Sequence, residues 1–254
     1  MDSDYFFVGQ ENLEETKKIL SRELNLHWFP RLASTNLLAQ AEPWPQGTVI
    51  AADCQDRGRG RLGREWQSPP GFNLYFSLVY YPSLPRHNWG GFSLAAGVAI
   101  AWVLKPFVPG LGLKWPNDLL VSGEKLGGIL LEATGSKLVT GVGINVNQQS
   151  FPPELNATSL KLCTARNWRR DRLLASLVRE ILDSLNMWNR GRFEQVIEKW
   201  RQLDIVLGKA VAARRGGQVI KGRALDVGAG GELLVEDELG VLHALHSGEV
   251  TLKA

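Results

Sequence analysis

The hydrophobic and polar positions divide the chain into a long region of mixed pattern and a short region of strand patterns. Between residues 11 and 203, apolar positions repeat at helical spacing in some segments and alternate or cluster in others. After residue 203, only short strand patterns separated by turn residues follow. The sequence therefore predicts an α+β protein with a large domain over residues 1–203 and a small all-β domain over residues 204–254.

Four segments have the spacing typical of helices. In the longest, residues 168–200, leucine, isoleucine and valine recur at intervals of three and four. The other predicted helices are residues 11–24, 37–41 and 89–104, and prolines follow the last two. The most apolar stretch, residues 92–103, is too short to cross a bilayer. We therefore expect no membrane association.

Strand patterns account for most of the remaining chain. In the large domain they predict a mixed or antiparallel sheet, with strands at residues 26–32, 47–54, 73–80, 111–115, 119–121, 125–133 and 138–146. The fifth and sixth of these strands are predicted to form a hairpin around a turn at residues 122–124. The later strands, at residues 205–213, 218–227, 232–236, 241–246 and 249–252, predict a small barrel of the SH3 type.

Composition and charge narrow the class of protein. The chain has 254 residues, of which 44% are hydrophobic and 22% charged, as in an ordinary globular protein. Its formal net charge of +3 suits an acidic substrate better than a nucleic-acid surface. Two cysteines and an N-terminus without signal-peptide character indicate a cytoplasmic protein. His243 and His246 would point to opposite faces of a strand, so we expect no histidine metal site.

The most distinctive stretch is a glycine- and arginine-rich segment at residues 57–66, which ends in Trp66. Its glycines, Gly58, Gly60 and Gly63, allow the backbone to turn tightly and approach a ligand. Its arginines, which include Arg59, Arg61 and Arg64, provide forked donors that match carboxylate and phosphate oxygens. The segment therefore predicts a binding loop for an anion with oxygens on more than one centre.

The same glycines also fit the dinucleotide-binding pattern G-x-G-x-x-G. That interpretation requires a helix that opens inside the motif and an acidic residue about 20 positions later. Here prolines follow at residues 69 and 70, and residues 66–117 contain no aspartate or glutamate. A nicotinamide-dependent oxidoreductase is therefore a distant alternative.

Three further motifs are ordinary when each is taken alone. Ser34-Thr35-Asn36 could cap the following helix, or its hydroxyls could face a ligand. Lys114 to Leu119, K-W-P-N-D-L, could simply form the turn between two strands. Lys125 to Leu130, K-L-G-G-I-L, places two glycines inside an apolar strand, which is typical of a site where another group approaches the backbone.

In combination and in this order, these motifs resemble those of the biotin protein ligases. The resemblance includes the motifs G-R-G-R-x-G-R-x-W, K-W-P-N-D-L and K-x-G-G-I-L, with Gln55 just before the first of them. The final G-E-V-T-L at residues 248–252 is also similar to the end of that family, so the likeness spans about residues 26–254. It implies a catalytic domain of the class II synthetase type that joins biotin and ATP to biotinyl-5′-AMP in the presence of Mg²⁺. Biotin would then pass to a lysine of a biotin carboxyl carrier protein, as in acetyl-CoA carboxylase.

The resemblance also implies roles for individual residues. The catalytic residues would be Arg61, Lys125 and Asp118, with the role of Asp118 limited to orienting or deprotonating the incoming lysine. The biotin-binding residues would be Ser34, Thr35, Asn36, Gln55, Gly58, Arg59, Gly60, Arg61, Lys125 and Gly128. The ATP- and adenylate-binding residues would be Arg59, Arg61, Arg64, Trp66, Asn117, Lys125 and Asn145. No protein ligand for a metal follows from the motifs.

Several alternatives stay open at this level. A lipoate-protein ligase shares the broad fold and adenylate chemistry, and a biotin-binding module could have kept the pocket without catalysis. Only 33 residues precede Ser34, too few for a helix-turn-helix domain, so we expect no specific DNA binding. Members of the family exist as homodimers or monomers, and the sequence does not choose between them.

Overall fold

A computed structural model describes residues 5–7, 12–19, 25–215 and 218–252 of the chain. Its large sheet has seven strands in the order β1-β2-β3-β7-β6-β5-β4, and only the β1–β2 pair is parallel. The strands are β1 (Leu26–Phe29), β2 (Val49–Ala52), β3 (Leu74–Tyr80), β4 (Leu111–Lys114), β5 (Asp118–Val121), β6 (Glu124–Thr134) and β7 (Lys137–Ile144). The predicted mixed sheet and the β5–β6 hairpin are confirmed.

Helices cover both faces of this sheet. They are α1 (Leu13–Ile19), α2 (Thr35–Ala41), α3 (Gly91–Leu104), α4 (Leu160–Thr164), α5 (Arg170–Asn189) and α6 (Phe193–Arg201). The buried helix α3 packs against α5, α6 and one face of the sheet, and together they form the main hydrophobic core. On the opposite face, Ala39 of α2 packs against Ile50, Val79 and Val139. Because side chains alternate along a strand, Leu78 and Val79 of β3 contribute to different cores.

The small C-terminal domain is a five-stranded antiparallel sheet in the order β11-β10-β9-β8-β12. Its strands are β8 (Ala210–Arg215), β9 (Gln218–Val227), β10 (Leu233–Asp237), β11 (Leu242–Leu245) and β12 (Glu249–Leu252). All five predicted strands are present, although β8 begins five residues later than the predicted start at residue 205. The reason is that the Asp204 carboxylate accepts hydrogen bonds from the amides of Val206 and Leu207, which turns this segment away from an extended path.

The two sheets are joined by a buried junction. The Leu113 amide on edge strand β4 donates to the Leu203 carbonyl at 2.8 Å, and the Ile205 amide donates back to Leu113 at 3.0 Å. The Trp115 indole is 2% exposed and donates to the Gly231 carbonyl of the small sheet at 3.0 Å. These bonds fix the position of the C-terminal domain relative to the large sheet.

Other details also differ from the prediction. Strand β1 ends at Phe29 rather than residue 32, because the chain bends at Pro30 and pairing resumes only as an isolated bridge between Leu32 and Gln55. The helical stretch at residues 168–200 is two helices, interrupted at Gly191 with a φ of 73°. Helix α4 was not predicted, since its five residues are too few for a periodic pattern. Of the first predicted helix, residues 13–19 are helical, while residues 11 and 20–24 lie outside the described residues.

In the part of the chain that the structure describes, no helix combines the length and the apolar character needed to span a membrane.

Candidate functional site

A cavity lies between the glycine- and arginine-rich loop, the sheet surface formed by β6 and β7, and the start of β12. It brings together thirteen of the fifteen residues singled out in the sequence: Ser34, Thr35, Asn36, Gln55, Arg59, Gly60, Arg61, Arg64, Trp66, Asn117, Asp118, Lys125 and Gly128. These residues come from segments that are distant in sequence. The strand order brings β7, β6 and β5 side by side although they carry different motifs.

One end of the cavity is formed by the first turn of α2 and by Gln55. Ser34 occupies the N-cap position, but its side chain makes no capping hydrogen bond. The Thr35 amide and hydroxyl both donate to Gln55 Oε1, at 2.8 and 3.2 Å. Gln55 Nε2 in turn donates to the Ser68 hydroxyl at 2.9 Å, which fixes the orientation of the amide. This end of the cavity therefore presents oriented hydroxyl and amide groups, so these residues do more than cap a helix.

Asn36 is held by residues that the sequence did not identify. Its Oδ1 accepts a hydrogen bond of 2.5 Å from Ser77 on β3, and its Nδ2 donates to Glu132 Oε2 on β6 at 2.9 Å. A β-carbon on Gly141 would lie 2.1 Å from Asn36 Oδ1, so this position accepts only glycine while Asn36 stays in place. Ser77 and Glu132 belong to strand patterns that look structural in the sequence, and pairing between distant strands brings them to the site.

The glycine- and arginine-rich loop is folded over the sheet. The Trp66 amide donates to the Gly58 carbonyl at 2.9 Å, and the Gly60 amide donates to the Arg64 carbonyl at 2.7 Å. Between them lies a short 3₁₀ turn, Arg61–Gly63, in which Leu62 has a left-handed φ of 57° and is 73% exposed. The Trp66 indole packs on the backbone of Gly128 and Gly143. A β-carbon on Gly128 would meet the indole at an ordinary 3.4 Å, so the β6 glycine that a close approach requires is Gly127, where a β-carbon would lie 2.8 Å from the Gly143 carbonyl oxygen.

Arg61 points into the cavity and is held by an uncharged partner. Its Nη1 donates to Asn117 Oδ1 at 2.9 Å, and Asn117 Nδ2 donates to the Ile129 carbonyl at 2.9 Å. Burial lowers the pKa of the Arg61 guanidinium, and the carboxylates of Asp118 and Glu249 partly oppose this effect. The guanidinium stays charged over the physiological range. The site thus holds a partly desolvated positive charge beside a neutral amide.

Lys125 and Asp118 form an ion pair on the floor of the cavity. Lys125 Nζ lies 2.8 Å from Asp118 Oδ1 and 5.5 Å from the centre of the Trp66 ring. The Lys114↔Asp118 pairing of the β4–β5 hairpin places Asp118 at the start of β5. The ammonium group therefore sits between a carboxylate and an aromatic face, a position suited to a compact point charge.

Two other arginines of the loop, Arg59 and Arg64, are each paired with a carboxylate. Arg59 Nη2 lies 2.8 Å from Glu132 Oε1, and Arg64 Nη2 lies 2.5 Å from Glu249 Oε2 on β12. The hydrogen bond from Arg64 lowers the pKa of Glu249. Glu249, like Glu132, was missed in the sequence because its partner is 185 residues away. The C-terminal sheet thus contributes directly to the cavity wall.

Two sequence-predicted residues, Gly58 and Asn145, do not line the cavity. Gly58 is buried behind the loop, where a β-carbon would lie 2.2 Å from the Trp66 carbonyl oxygen. Asn145 is 5% exposed, and its Nδ2 donates to the carbonyls of Lys125 and Thr158 at 3.3 and 3.0 Å. Both residues therefore shape the segments that carry the lining groups.

The arrangement is suited to binding and stabilising anionic oxygens. It combines two inward cations, Arg61 and Lys125, with an aromatic wall and an end of hydroxyl and amide groups. Within the described residues, no group of three histidines, cysteines, aspartates or glutamates is placed to hold a metal ion. Positioning and fixed charge are thus the chemical means that this cavity offers.

Comparison with known proteins gives two family matches. Residues 28–149 match the biotin/lipoate A/B protein ligase family, and residues 206–253 match the biotin protein ligase C-terminal domain. The biotin–[acetyl-CoA-carboxylase] ligase of Mycobacterium tuberculosis is 35% identical over 213 residues, which are 80% of each chain. The bifunctional ligase/repressor BirA of Escherichia coli is 32% identical over 236 residues, which are 89% of this chain and 73% of that protein.

A solved structure agrees with these matches. The biotin protein ligase of Aquifex aeolicus in complex with biotin and ATP superposes with a TM-score of 0.82 at 32% identity. The superposition covers 90% of this chain and 98% of that one.

Proposed function

Because this chain belongs to the biotin protein ligases, we propose that it is an ATP-dependent ligase that attaches biotin to a carrier protein. Biotin and ATP would first give biotinyl-5′-adenylate and pyrophosphate, and biotin would then pass to a lysine. The observation that carries the proposal is a single cavity with a hydroxyl- and amide-lined end at Ser34 and Gln55 and a cationic end at Arg61 and Lys125. The first end suits a ureido ring, and the second suits a carboxylate and a phosphate.

In the first step, a carboxylate oxygen of biotin forms a bond to the α-phosphorus of ATP, and the bond from that phosphorus to pyrophosphate breaks. Negative charge gathers where the two anions meet, so catalysis depends on fixed positive charge. We assign this role to Arg61 and Lys125. Trp66 would help to exclude water from the mixed anhydride, since its indole packs on Gly128 and Gly143 and forms an apolar wall of the cavity.

In the second step, the ε-amine of the carrier lysine attacks the acyl carbon, and AMP leaves. The amine must lose a proton to form the amide. The 2.8 Å distance between Asp118 Oδ1 and Lys125 Nζ supports a role for Asp118 here, since Lys125 is the residue assigned to the reacting carboxyl group. We propose that Asp118 orients the amine and accepts its proton, while Lys125 holds the oxygens of the leaving group.

Mg²⁺ is proposed only as part of the ATP substrate. The cavity carboxylates Asp118 and Glu249 are each paired with a cation, and the described residues form no three-ligand metal cluster. This donor set does not fit a resident metal ion. A magnesium ion held mainly by phosphates and water needs no such cluster.

We propose further that the catalytic domain comprises residues 1–203 and the C-terminal domain residues 204–254. The partner would be the biotin carboxyl carrier domain of acetyl-CoA carboxylase, with no specific DNA binding. A cytoplasmic location is supported by the two free thiols, Cys54 and Cys163. Whether the protein acts as a homodimer or a monomer can be measured by sedimentation.

The test is to mix the protein with ATP and Mg²⁺, add biotin or lipoate, and measure pyrophosphate release. Transfer is then followed by mass spectrometry of an added carrier domain. We expect pyrophosphate release and lysine labelling with biotin alone. Release with lipoate alone would favour a lipoate ligase, and binding of biotin without release would favour a non-catalytic module.

Two variants and a control link activity to the cavity. Arg61→Gln and Lys125→Met should each lower adenylate formation by roughly 100-fold or more, the scale of losing one fixed charge at a reacting oxyanion. The control Arg31→Gln removes an arginine from an exposed ion pair with Asp56 and should leave turnover unchanged. Unchanged turnover in both cavity variants would refute the assigned roles. A gel shift with operator DNA at physiological salt would refute the absence of specific DNA binding.

A further inference from the structure

Glu132 lies where three parts of the cavity wall meet. Its Oε2 accepts hydrogen bonds from Asn36 Nδ2 at 2.9 Å and Gln40 Nε2 at 2.7 Å, both on α2. Its Oε1 pairs with Arg59 Nη2 of the loop at 2.8 Å. One carboxylate on β6 therefore connects the helix that starts at the ring-binding end with the loop that covers the cavity.

The position of this carboxylate is tightly fixed. The Glu132 side chain is 18% exposed, and its partner Asn36 is 3% exposed. Asn36 in turn cannot shift toward β7, because it already fills the space in which a β-carbon of Gly141 would stand. Glu132 is thus a prearranged partner for Arg59 and differs from a mobile surface acid.

Arg59 and Arg61 of the loop differ in the group that lies beside the guanidinium. Arg59 is matched by the carboxylate of Glu132, whereas the contact of Arg61 is the neutral amide oxygen of Asn117. A guanidinium beside a fixed carboxylate has little remaining attraction for a second anion. A guanidinium whose hydrogen-bond partner is a neutral amide keeps more of that attraction.

We propose, on the basis of the ligase function given above, that Glu132 is a positioning residue and that Arg59 acts through it as an anchor of the loop. Arg61 alone of the two contacts the reacting anions. The first turn of α2, at the ring-binding end, holds Glu132, and Glu132 holds the loop closed through Arg59. The pair thereby joins the ring-binding end to the loop that would retain the adenylate.

The experiment compares Arg59→Gln, Glu132→Gln and the double variant with the unaltered protein. Two quantities are measured: the rate at which biotinyl-adenylate escapes in the absence of carrier, and the rate of tryptic cleavage after Arg61 and Arg64 in the ligand-free protein. Each single change should raise both rates roughly tenfold, the effect of losing one charge-assisted contact. The double variant should match the singles within about twofold, because both changes break the same contact.

Further variants separate anchoring from other effects. Arg59→Lys should restore both rates most of the way, since an ammonium can pair with Glu132 but cannot form the fork that an anion clamp needs. Gln40→Ala removes one of the two hydrogen bonds from α2 to Glu132 without touching Arg59, and should raise both rates by clearly less than either single change. Thermal unfolding of every variant controls for general loss of structure.

Effects of Arg59→Gln and Glu132→Gln that multiply in the double variant, to roughly 100-fold, would overturn the proposal. An equal effect of Gln40→Ala would overturn it as well, since it would indicate a general disturbance of α2. The cleavage measurement needs no substrate. If the unaltered protein forms no adenylate, the proposed function fails, while the anchoring of the loop is still decided by cleavage.

Discussion

Gly143 provides the sharpest test of how the cavity is built. It lies on β7 beneath the Trp66 indole, and it is not among the glycines with a positive φ, so alanine fits the backbone. An alanine β-carbon, however, would lie 2.6 Å from Trp66 Cε2 and 2.7 Å from Trp66 Nε1. The substitution Gly143→Ala therefore acts on the aromatic wall of the cavity and leaves the strand intact.

The expected loss of stability in Gly143→Ala follows from these distances. An ordinary contact begins at 3.4 Å, so the indole must withdraw by about 0.8 Å (3.4 minus 2.6). Overpacking of this kind costs roughly 1–3 kcal/mol. Alanine recovers roughly 0.5–1 kcal/mol in a strand, because glycine loses more backbone entropy on folding. The net loss of stability is then between about zero and 2.5 kcal/mol, or up to roughly 10 °C in Tm at 2–4 °C for each kcal/mol.

Activity should fall much further than stability. A displacement approaching 1 Å beside reacting groups can cost roughly 100-fold in rate. We expect Gly143→Ala to lower pyrophosphate release from biotin and ATP by about that factor at 25 °C, where the protein is still folded. The assay pairs this rate with a thermal unfolding curve of the same sample.

Gly90→Ala is the matched control. Gly90 has a φ of −54°, and its nearest nonlocal atoms would lie 4.0 Å from an added β-carbon. This variant should keep both the rate and Tm. If Gly143→Ala kept the rate of the unaltered protein, or if Gly90→Ala lost as much, the reasoning that places Trp66 over Gly143 as the cavity wall would be wrong.

Three further predictions concern charge, pH and the junction between the sheets. Arg61→Lys should lower the rate of pyrophosphate release at least tenfold, because an ammonium lacks the fork of donors that a guanidinium offers to two oxygens. Burial would raise the pKa of Asp171, but the hydrogen bonds from Arg169 and the Asn12 amide outweigh it and hold that pKa below its ordinary value of 3.8. The stabilisation is therefore present above that value and is lost as the pH falls through the lowered pKa, so chemical denaturation should show the stabilities of Asp171→Asn and the unaltered protein converging as the pH falls below 3.8. Trp115→Phe leaves the Gly231 carbonyl unpaired and should cost roughly 1–3 kcal/mol in the free energy of unfolding, measured with urea.

The elements of this fold were readable in the sequence wherever one face of a segment is buried against a core. Strand β3 appears near its predicted bounds, and the apolar pattern of residues 168–200 predicted a helical region there, although the region is divided into α5 and α6. The local pattern was insufficient where a single residue breaks an element. Pro30 ends β1, and Gly191 separates α5 from α6, although apolar spacing continues past both positions.

The candidate site was predictable to the extent that its residues lie in compact motifs. Arg61 and Lys125 stand out because glycines flank them, and both line the cavity. Glu132 and Glu249 could not be found in this way, because their partners come from distant segments that only the completed fold brings together. Asn145, which the resemblance placed in the site, instead has a side chain that supports the backbone behind the cavity.

Residues 248–250 line the cavity, and Glu249 reaches Arg64 across 185 positions of the chain. The order of translation therefore matters for this protein. A nascent chain that has emerged only as far as β11 possesses the arginines and the lysine but lacks one wall of the chamber. Until the ribosome has delivered β12, the cavity would stay open on the side of residues 248–250, and Arg64 would lack its carboxylate partner.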